Sequence, residues 1–348
     1  MLITKKILLF ALFVFFTLNY CTAQTSQCQN VQGNGNSDWA ILYKPPGERQ
    51  GKILIPPGNS WVNNPHPLER PNDHSFAKAL ENVAVNQGNI KFFAYNNAAP
   101  GVVGVKTRSN SKGLGVLIID DRPQQSAAAW IVHTVPGFPK PKATYTFPQS
   151  EYENGHLLIC LTIDESQIES IAVALFVASP FIYYNDLPDA EVKIRPALKK
   201  LLNGETAIKP PFSTKQSIGT GAPASVPVQI FGKSGRSKYE IYKKIISKQL
   251  KKMIKVWSRR DKKLKANCKI PGRHILLVSS PISVDRQASN LEKDVTNWLI
   301  PDNGDIFCAV DKPYAISQKA EPAVAICIKQ ANIFARFNDI AAKVDSCT

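Results

Sequence analysis

Histidine is scarce in this chain. Five occur among 348 residues, His66, His74, His133, His156 and His274. None stands at dyad spacing from another, no Cys-x-x-Cys or Cys/His cluster has zinc spacing, and neither a metal nor a cofactor is expected. Acidic residues are also few, 27 against 43 Lys and Arg, so the formal charge of +16 points toward polyanionic partners. No Asn-x-Ser/Thr sequon is present, so N-glycosylation is not expected. The long apolar run of a membrane span is missing too: Ile7 to Leu18 is too short for a bilayer that needs about 20 residues, and later stretches are broken by charge or Pro. With Lys5 and Lys6 before it and Cys21-Thr22-Ala23 after it, that run reads as a signal peptide over residues 1–23. Secretion is therefore predicted, with no transmembrane segment in the mature chain.

What is present is a globular composition, 44% apolar and 9% aromatic, which excludes disorder throughout. Removal of the signal peptide takes Cys21 with it and leaves an even set: Cys28, Cys160, Cys268, Cys308, Cys327 and Cys347. In an oxidising compartment six cysteines read as three disulfides, and fifteen pairings are open. Aromatic-aliphatic runs at 38–44, 90–95, 116–119, 130–135 and 157–163 read as strands, followed by a helix from Asp164 to about Val177. A further strand is expected at 274–279 and a last helix near 328–344. The Gly/Ser/Thr/Pro-rich stretch from Lys209 to Val228 reads as a surface loop and as the seam between two halves, divided at 24–215 and 216–348. Strands alternating with helical pattern indicate an α/β fold with mixed sheets.

The charge is concentrated. Residues 233–269 hold 15 Lys or Arg against Glu240 and Asp261. At helical periodicity Tyr242, Ile246, Leu250, Met253 and Trp257 fall on one face, and Lys244, Lys248, Lys251, Lys255 and Arg259 on the other. An amphipathic basic helix is predicted, with Lys252, Arg260, Lys262 and Lys263 adding to its cationic surface. Like charges four apart each cost a helix roughly 0.2–0.5 kcal/mol, so a row of them favours an anionic partner over a membrane surface or an unliganded face. A sulfated glycan and a nucleic acid fit this row equally well.

At Val116-Leu117-Ile118-Ile119-Asp120, followed by Trp130 to Pro139 (WIVHTVPGFP), the chain resembles the secreted deoxyribonuclease II family. The similarity extends to Asp38-Trp39 through Pro45, to Phe92–Asn96, to Phe231–Tyr242, and to Trp298 with Cys308 and Cys327. It covers nearly the whole mature chain and is nearest to the divergent members that parasitic nematodes secrete. The resemblance implies a phospholipase D-like architecture, two pseudo-symmetric α/β halves facing one active site, often with further homodimerisation. It implies metal-independent cleavage in which each half supplies a His-x-Lys pair, one His attacking phosphorus and the other protonating the leaving oxygen. It also selects one disulfide connectivity: Cys28 with Cys160, Cys268 with Cys347, and Cys308 with Cys327.

Against that pattern this chain departs at the reacting groups. In the first half the motif positions fall on Asn110 and Lys112, or Lys112 takes the His position in an ungapped alignment; no His occurs between His74 and His133. In the second half Val295-Thr296-Asn297-Trp298 stands where the family has His-x-Lys-Trp. Pro313 and Tyr314 replace an Asn-Arg pair, and Glu321-Pro322-Ala323-Val324 replaces a basic glycine-rich run. His133 matches a family histidine and reads as structural or as a support to the site; Asp120 reads as a strand-end turn residue. The sequence thus predicts a pseudoenzyme that binds sulfated glycosaminoglycans or DNA. The competing readings are a divergent acid endonuclease using Lys112 and His133, and a protein-interaction module whose charge is incidental.

Overall fold

A computed structural model of the chain describes residues 26–84, 88–101, 114–122, 126–221, 225–260 and 265–345. Short strands β1 (Cys28–Gln29) and β2 (Asn36–Ser37) pair with each other. Eight strands form the first large sheet: β3 (Trp39–Lys44), β4 (Lys52–Leu54), β5 (Val62–Asn63), β6 (Ile90–Tyr95), β7 (Leu114–Asp120), β8 (Ala127–His133), β9 (His156–Asp164) and β10 (Ile182–Asn185). Their spatial order is β10-β6-β7-β8-β9-β3-β4-β5. The second large sheet takes β11 (Ser213–Gly219), β12 (Pro227–Lys233), β13 (Ile254–Trp257) and β14 (Ile275–Leu277), while β15 (Ile282–Val284) and β16 (Gln287–Ser289) make a separate hairpin. It is completed by β17 (Trp298–Pro301), β18 (Ile306–Val310) and β19 (Ala323–Lys329), in the order β11-β12-β19-β18-β17-β13-β14.

Period-two alternation sorts the side chains into three apolar layers. Trp39, Ile41 and Tyr43 of β3 enter the layer between the sheets, with Trp130 of β8 and Ile159 of β9; Trp298 of β17 and Ile326 of β19 meet them from the other side. The residues in between, such as Ala40, Leu42 and Ile131, pack on the outer face of the first sheet. Phe231, Val256 and Leu299 do the same on the outer face of the second. Both faces of both sheets are therefore buried, which is why their central strands read as near-continuous apolar runs. Two helices lie in the middle layer. The helix Ile168–Ala178 begins after a 3-10 turn at Glu165–Gln167 and places Ile171, Ala172 and Leu175 there; the helix Ala331–Ile340 places Ile333 and Phe337 there. The Phe337 ring stacks 3.8 Å from Phe307 and lies 6.5 Å from Tyr43 of the opposite sheet.

The two halves repeat one plan. The neighbours β6-β7-β8-β9-β3, all antiparallel, are matched in sequence and in space by β13-β17-β18-β19-β12, and each run ends in one of the middle-layer helices. The correspondence extends to single residues. Lys44 closes β3 and Lys233 closes β12; both are fully buried. Lys44 Nζ donates to the carbonyls of Tyr152 and Asn154 just before β9, and Lys233 Nζ to those of Gln318 and Glu321 just before β19. Burial pushes both ammonium groups down to about 8. Cys28–Cys160 and Cys308–Cys327 are formed as the resemblance implied. Cys268 is disulfide-bonded as well, and Cys347 lies outside the described residues.

Two expectations are corrected. The Lys209–Val228 stretch is not all loop, since it holds the edge strand β11 and the start of β12, and a division at residue 215 cuts β11. Ser, Thr and Gln populate this strand because it has a neighbour on one side only and buries little besides Ile218. The basic segment is not one helix. Ile241–Ile246 winds as a π-helix and Ser247–Leu250 as one α-turn; Lys251 then turns left-handed at φ 54°, and Ile254–Trp257 is strand β13. Of the expected stripe, Tyr242 and Ile246 are buried on the outer face of the second sheet and Trp257 in the layer between the sheets, while Leu250 and Met253 are half-buried, so the five do not share one face.

Candidate functional site

The ends of several strands from both sheets meet at one cleft. It is lined by Tyr95 at the end of β6, His133 at the end of β8 and Thr134 after it, Asn297 before β17, Asp311 after β18 and Val324 in β19. Asn110 and Lys112 lie outside the described residues, but they precede β7 as Val295 and Asn297 precede β17. The two motif positions thus stand before pseudo-equivalent strands. Gly115 near the start of β7 is required here: a Cβ on it would collide with Tyr95 Oη, and the tyrosine hydroxyl accepts from Trp130 Nε1 at 3.0 Å.

Each candidate residue is held by its own shell. Val295 is buried, and Asn297 Oδ1 accepts from Ser258 Oγ at 2.7 Å. Ser258 Oγ in turn accepts from the Tyr314 backbone N–H, and the Tyr314 ring packs edge-on against Tyr242. Ser258 therefore links Asn297 to the backbone of Tyr314, two of the positions singled out in the sequence. Lys312, fully buried, is committed to Glu321 at 2.6 Å. Among the described residues the cleft is lined by no Lys or Arg, and its one formal charge is the carboxylate of Asp311.

His133 borders the cleft, but its imidazole packs edge-on against Phe138 in the outer layer of the first sheet. Its Nδ1 accepts from the Val135 N–H at 3.2 Å, Nε2 meets no partner among the described residues, and burial lowers its pKa to about 3. His156 is committed on both nitrogens, to Thr134 Oγ1 at 3.1 Å and to Glu151 at 3.0 Å, and burial lowers its pKa as well. Asp120 pairs with Arg122 at the end of β7. Among the described residues no group of three metal-ligating side chains converges.

Sequence reasoning passed over Asp294. Its buried carboxylate accepts from Tyr43 Oη of the first half and from Trp257 Nε1 and Ser289 Oγ of the second, while Oδ1 takes the Thr296 N–H. The signal available was an acid directly before the motif position in an otherwise acid-poor chain.

The basic segment divides by exposure. Lys244, Lys248 and Lys251 are exposed. Lys252 donates to Asn303, Lys255 to Asn338, Arg259 to the carbonyls of Leu291 and Glu292, and Arg260 pairs with Asp345. Lys262 and Lys263 lie outside the described residues.

A family model for deoxyribonuclease II matches residues 27–347. The chain belongs to the deoxyribonuclease II family. Similar proteins include Plancitoxin-1 of Acanthaster planci, 24% identical with 97% of this chain and 98% of the relative covered. Deoxyribonuclease-2-alpha of Sus scrofa is 25% identical with 79% and 78% covered, and Deoxyribonuclease-2-beta of Homo sapiens 23% identical with 97% and 96% covered. The paired sheets are the phospholipase D-like arrangement of that family, and the cleft lies where its two halves meet. Among the described residues no helix is long and apolar enough to cross a membrane.

Proposed function

We propose that this protein is a secreted deoxyribonuclease II-like pseudoenzyme that has lost both His-x-Lys motifs and binds extracellular polyanions, sulfated glycosaminoglycans or DNA, through its basic surface. The observation that carries the reading is the lining of the cleft. A phosphodiester is a singly charged anion, and among the described residues the cleft is walled by Val132, Leu157, Leu175 and Ile326 with no Lys or Arg to balance that charge. His133 does not replace the missing histidines: its ring lies in the outer layer, and a base with its pKa near 3 takes up a proton poorly at the pH where phosphodiesters are cleaved. Binding is supported by Lys244, Lys248 and Lys251, which are exposed and, among the described residues, make no ion pair.

The test has two arms. Supercoiled plasmid is incubated with the protein at acid pH in EDTA and at neutral pH with magnesium; no nicking is expected in either. Retention on heparin that falls steeply with salt is expected in the second arm. Nicking that co-purifies with the protein and is lost in His133→Ala would establish the endonuclease instead, and absence of heparin and DNA retention would leave a protein-interaction role.

A further inference from the structure

We infer that the groove between edge strand β11 and the helical turns at Ile241–Leu250 is a binding site for a linear sulfated oligosaccharide. The inference rests on the polyanion reading above and deepens it by naming the site and the ligand class. The groove is lined by Lys215, Thr214, Tyr239, Lys244, Lys248 and Gln249, with the buried Phe231 also in its wall. Lys215 comes from outside the basic run. It lies directly opposite Phe231 in the β11–β12 ladder, so both side chains leave the sheet on the outer face, where the helical turns pack. Two elements distant in sequence therefore aim cations into one groove. Among the described residues none of the three lysines makes an ion pair, and no carboxylate lines the groove.

Two further features indicate a built surface. Tyr239 is 49% exposed, the largest exposed aromatic among the described residues, and sits beside the lysines. The helix that carries Lys244 is wound as a π-helix, a rare form that is frequently found at functional sites. Glu240 holds that winding by accepting from the Tyr242 and Lys243 N–H groups, so its carboxylate is turned inward and its charge is used there.

The choice of ligand follows from charge density and lining. The bases of a nucleic-acid duplex are stacked and hidden from Tyr239. A single strand offers one charge per nucleotide. A sulfated sugar chain concentrates several on each disaccharide, which suits lysines gathered in one groove. The Thr214 hydroxyl and the Gln249 amide can pair with sugar hydroxyls, and the tyrosine ring can pack on the apolar face of a pyranose.

The experiment is a calorimetric titration of the purified protein with a heparin hexasaccharide at two salt concentrations. Lys215→Gln and Tyr239→Ala are each expected to weaken binding roughly three- to tenfold, with the salt slope falling by about one when Lys215 is lost. Lys140→Gln, an exposed lysine of the first half outside the groove, is expected to change affinity less than about twofold. An unchanged thermal midpoint shows that the folds are intact, and Lys215→Glu, expected to weaken binding further, gives a second surface variant. Wild-type affinity in the Lys215 and Tyr239 variants, with loss in a Lys244/Lys248/Lys251 triple variant, would overturn the groove and leave the polyanion reading standing. No binding of either the hexasaccharide or an oligodeoxynucleotide by wild type would overturn both. Tighter binding of an oligodeoxynucleotide of equal charge, with the same dependence on Lys215 and Tyr239, would make the groove a nucleic-acid site and overturn the sugar assignment.

Discussion

At the scale of single residues the chain holds His74, His133 and His156 as uncharged parts of the framework. His133 is pushed down to about 3 and His74 to about 4 by burial, and burial lowers His156 too. In each case the unfolded chain takes up the proton first as pH falls. The stabilisation is therefore complete above the ordinary value of 6.5 and is lost progressively as pH falls from there toward the folded value. His133→Asn tests this, because the Asn side-chain oxygen can still accept from the Val135 N–H but does not titrate in this range. The wild type is expected to lose more stability than the variant between neutral pH and about pH 4, by on the order of 1–3 kcal/mol, read by urea unfolding at both pH values. Equal losses would show that protonation of His133 is not coupled to unfolding.

At the scale of elements the basic segment shows where period and propensity part. Lys251 stops the helical turns in the left-handed region, donating its N–H to the Ser247 carbonyl. A side chain there is strained, and glycine relieves the strain. Lys251→Gly is expected to stabilise the protein by roughly 0.5–1 kcal/mol, seen as a raised thermal midpoint; a lowered midpoint would place the end of the helix elsewhere. The residues that follow, Ile254-Lys255-Val256-Trp257, alternate apolar and polar at the start and are β-branched or aromatic except for the lysine, which is strand chemistry. That signal was legible, but helical spacing from Tyr242 to Trp257 masked it, because a short strand also places an apolar residue at the expected phase. The strands β3, β6, β8 and β9 were legible for the opposite reason: burial on both faces leaves little in them but apolar residues. Strands β17, β18 and β19 went unread because Cys308, Asp311 and the breaks at Pro301 and Pro313 give that region the punctuation of a loop. The close packing of Tyr95 over Gly115 lay beyond reading, since it depends on where β6 and β7 pair.

At the scale of the whole molecule the two halves are joined by the layer between the sheets and by Asp294. Its carboxylate takes donors from both halves, so Asp294→Asn puts an amide NH2 among groups that can only partly turn away, the Trp257 N–H least of all. A loss of roughly 1–3 kcal/mol is expected in urea unfolding, without loss of the native spectrum. The same wholeness governs what repair of the motifs can achieve. On the proposed pseudoenzyme reading, placing His at 110 and 295 and Lys at 297 installs the residue types that the family resemblance implies there, yet the described surroundings of 295 and 297 are built around the present residues. Asn297 is held by Ser258, which also takes the Tyr314 N–H, so a lysine at 297 displaces a settled network. Lys312 neutralises Glu321, and Lys233 is spent on backbone carbonyls, so neither cation can turn toward a phosphate without stranding its partners. Val295 is buried, and a histidine there must displace its neighbours before it can reach a substrate. Catalytic groups that act as a unit give little when the charge-stabilising groups around them are missing. The triple variant Asn110→His, Val295→His, Asn297→Lys is therefore expected to nick supercoiled plasmid at acid pH in EDTA no more than tenfold faster than wild type. Adding Glu321→Arg together with Tyr314→Arg is expected to raise the rate further than the triple variant alone. A triple variant that cleaves at a rate comparable to Deoxyribonuclease-2-alpha assayed beside it would show that the cleft, despite its apolar wall, still receives a phosphodiester.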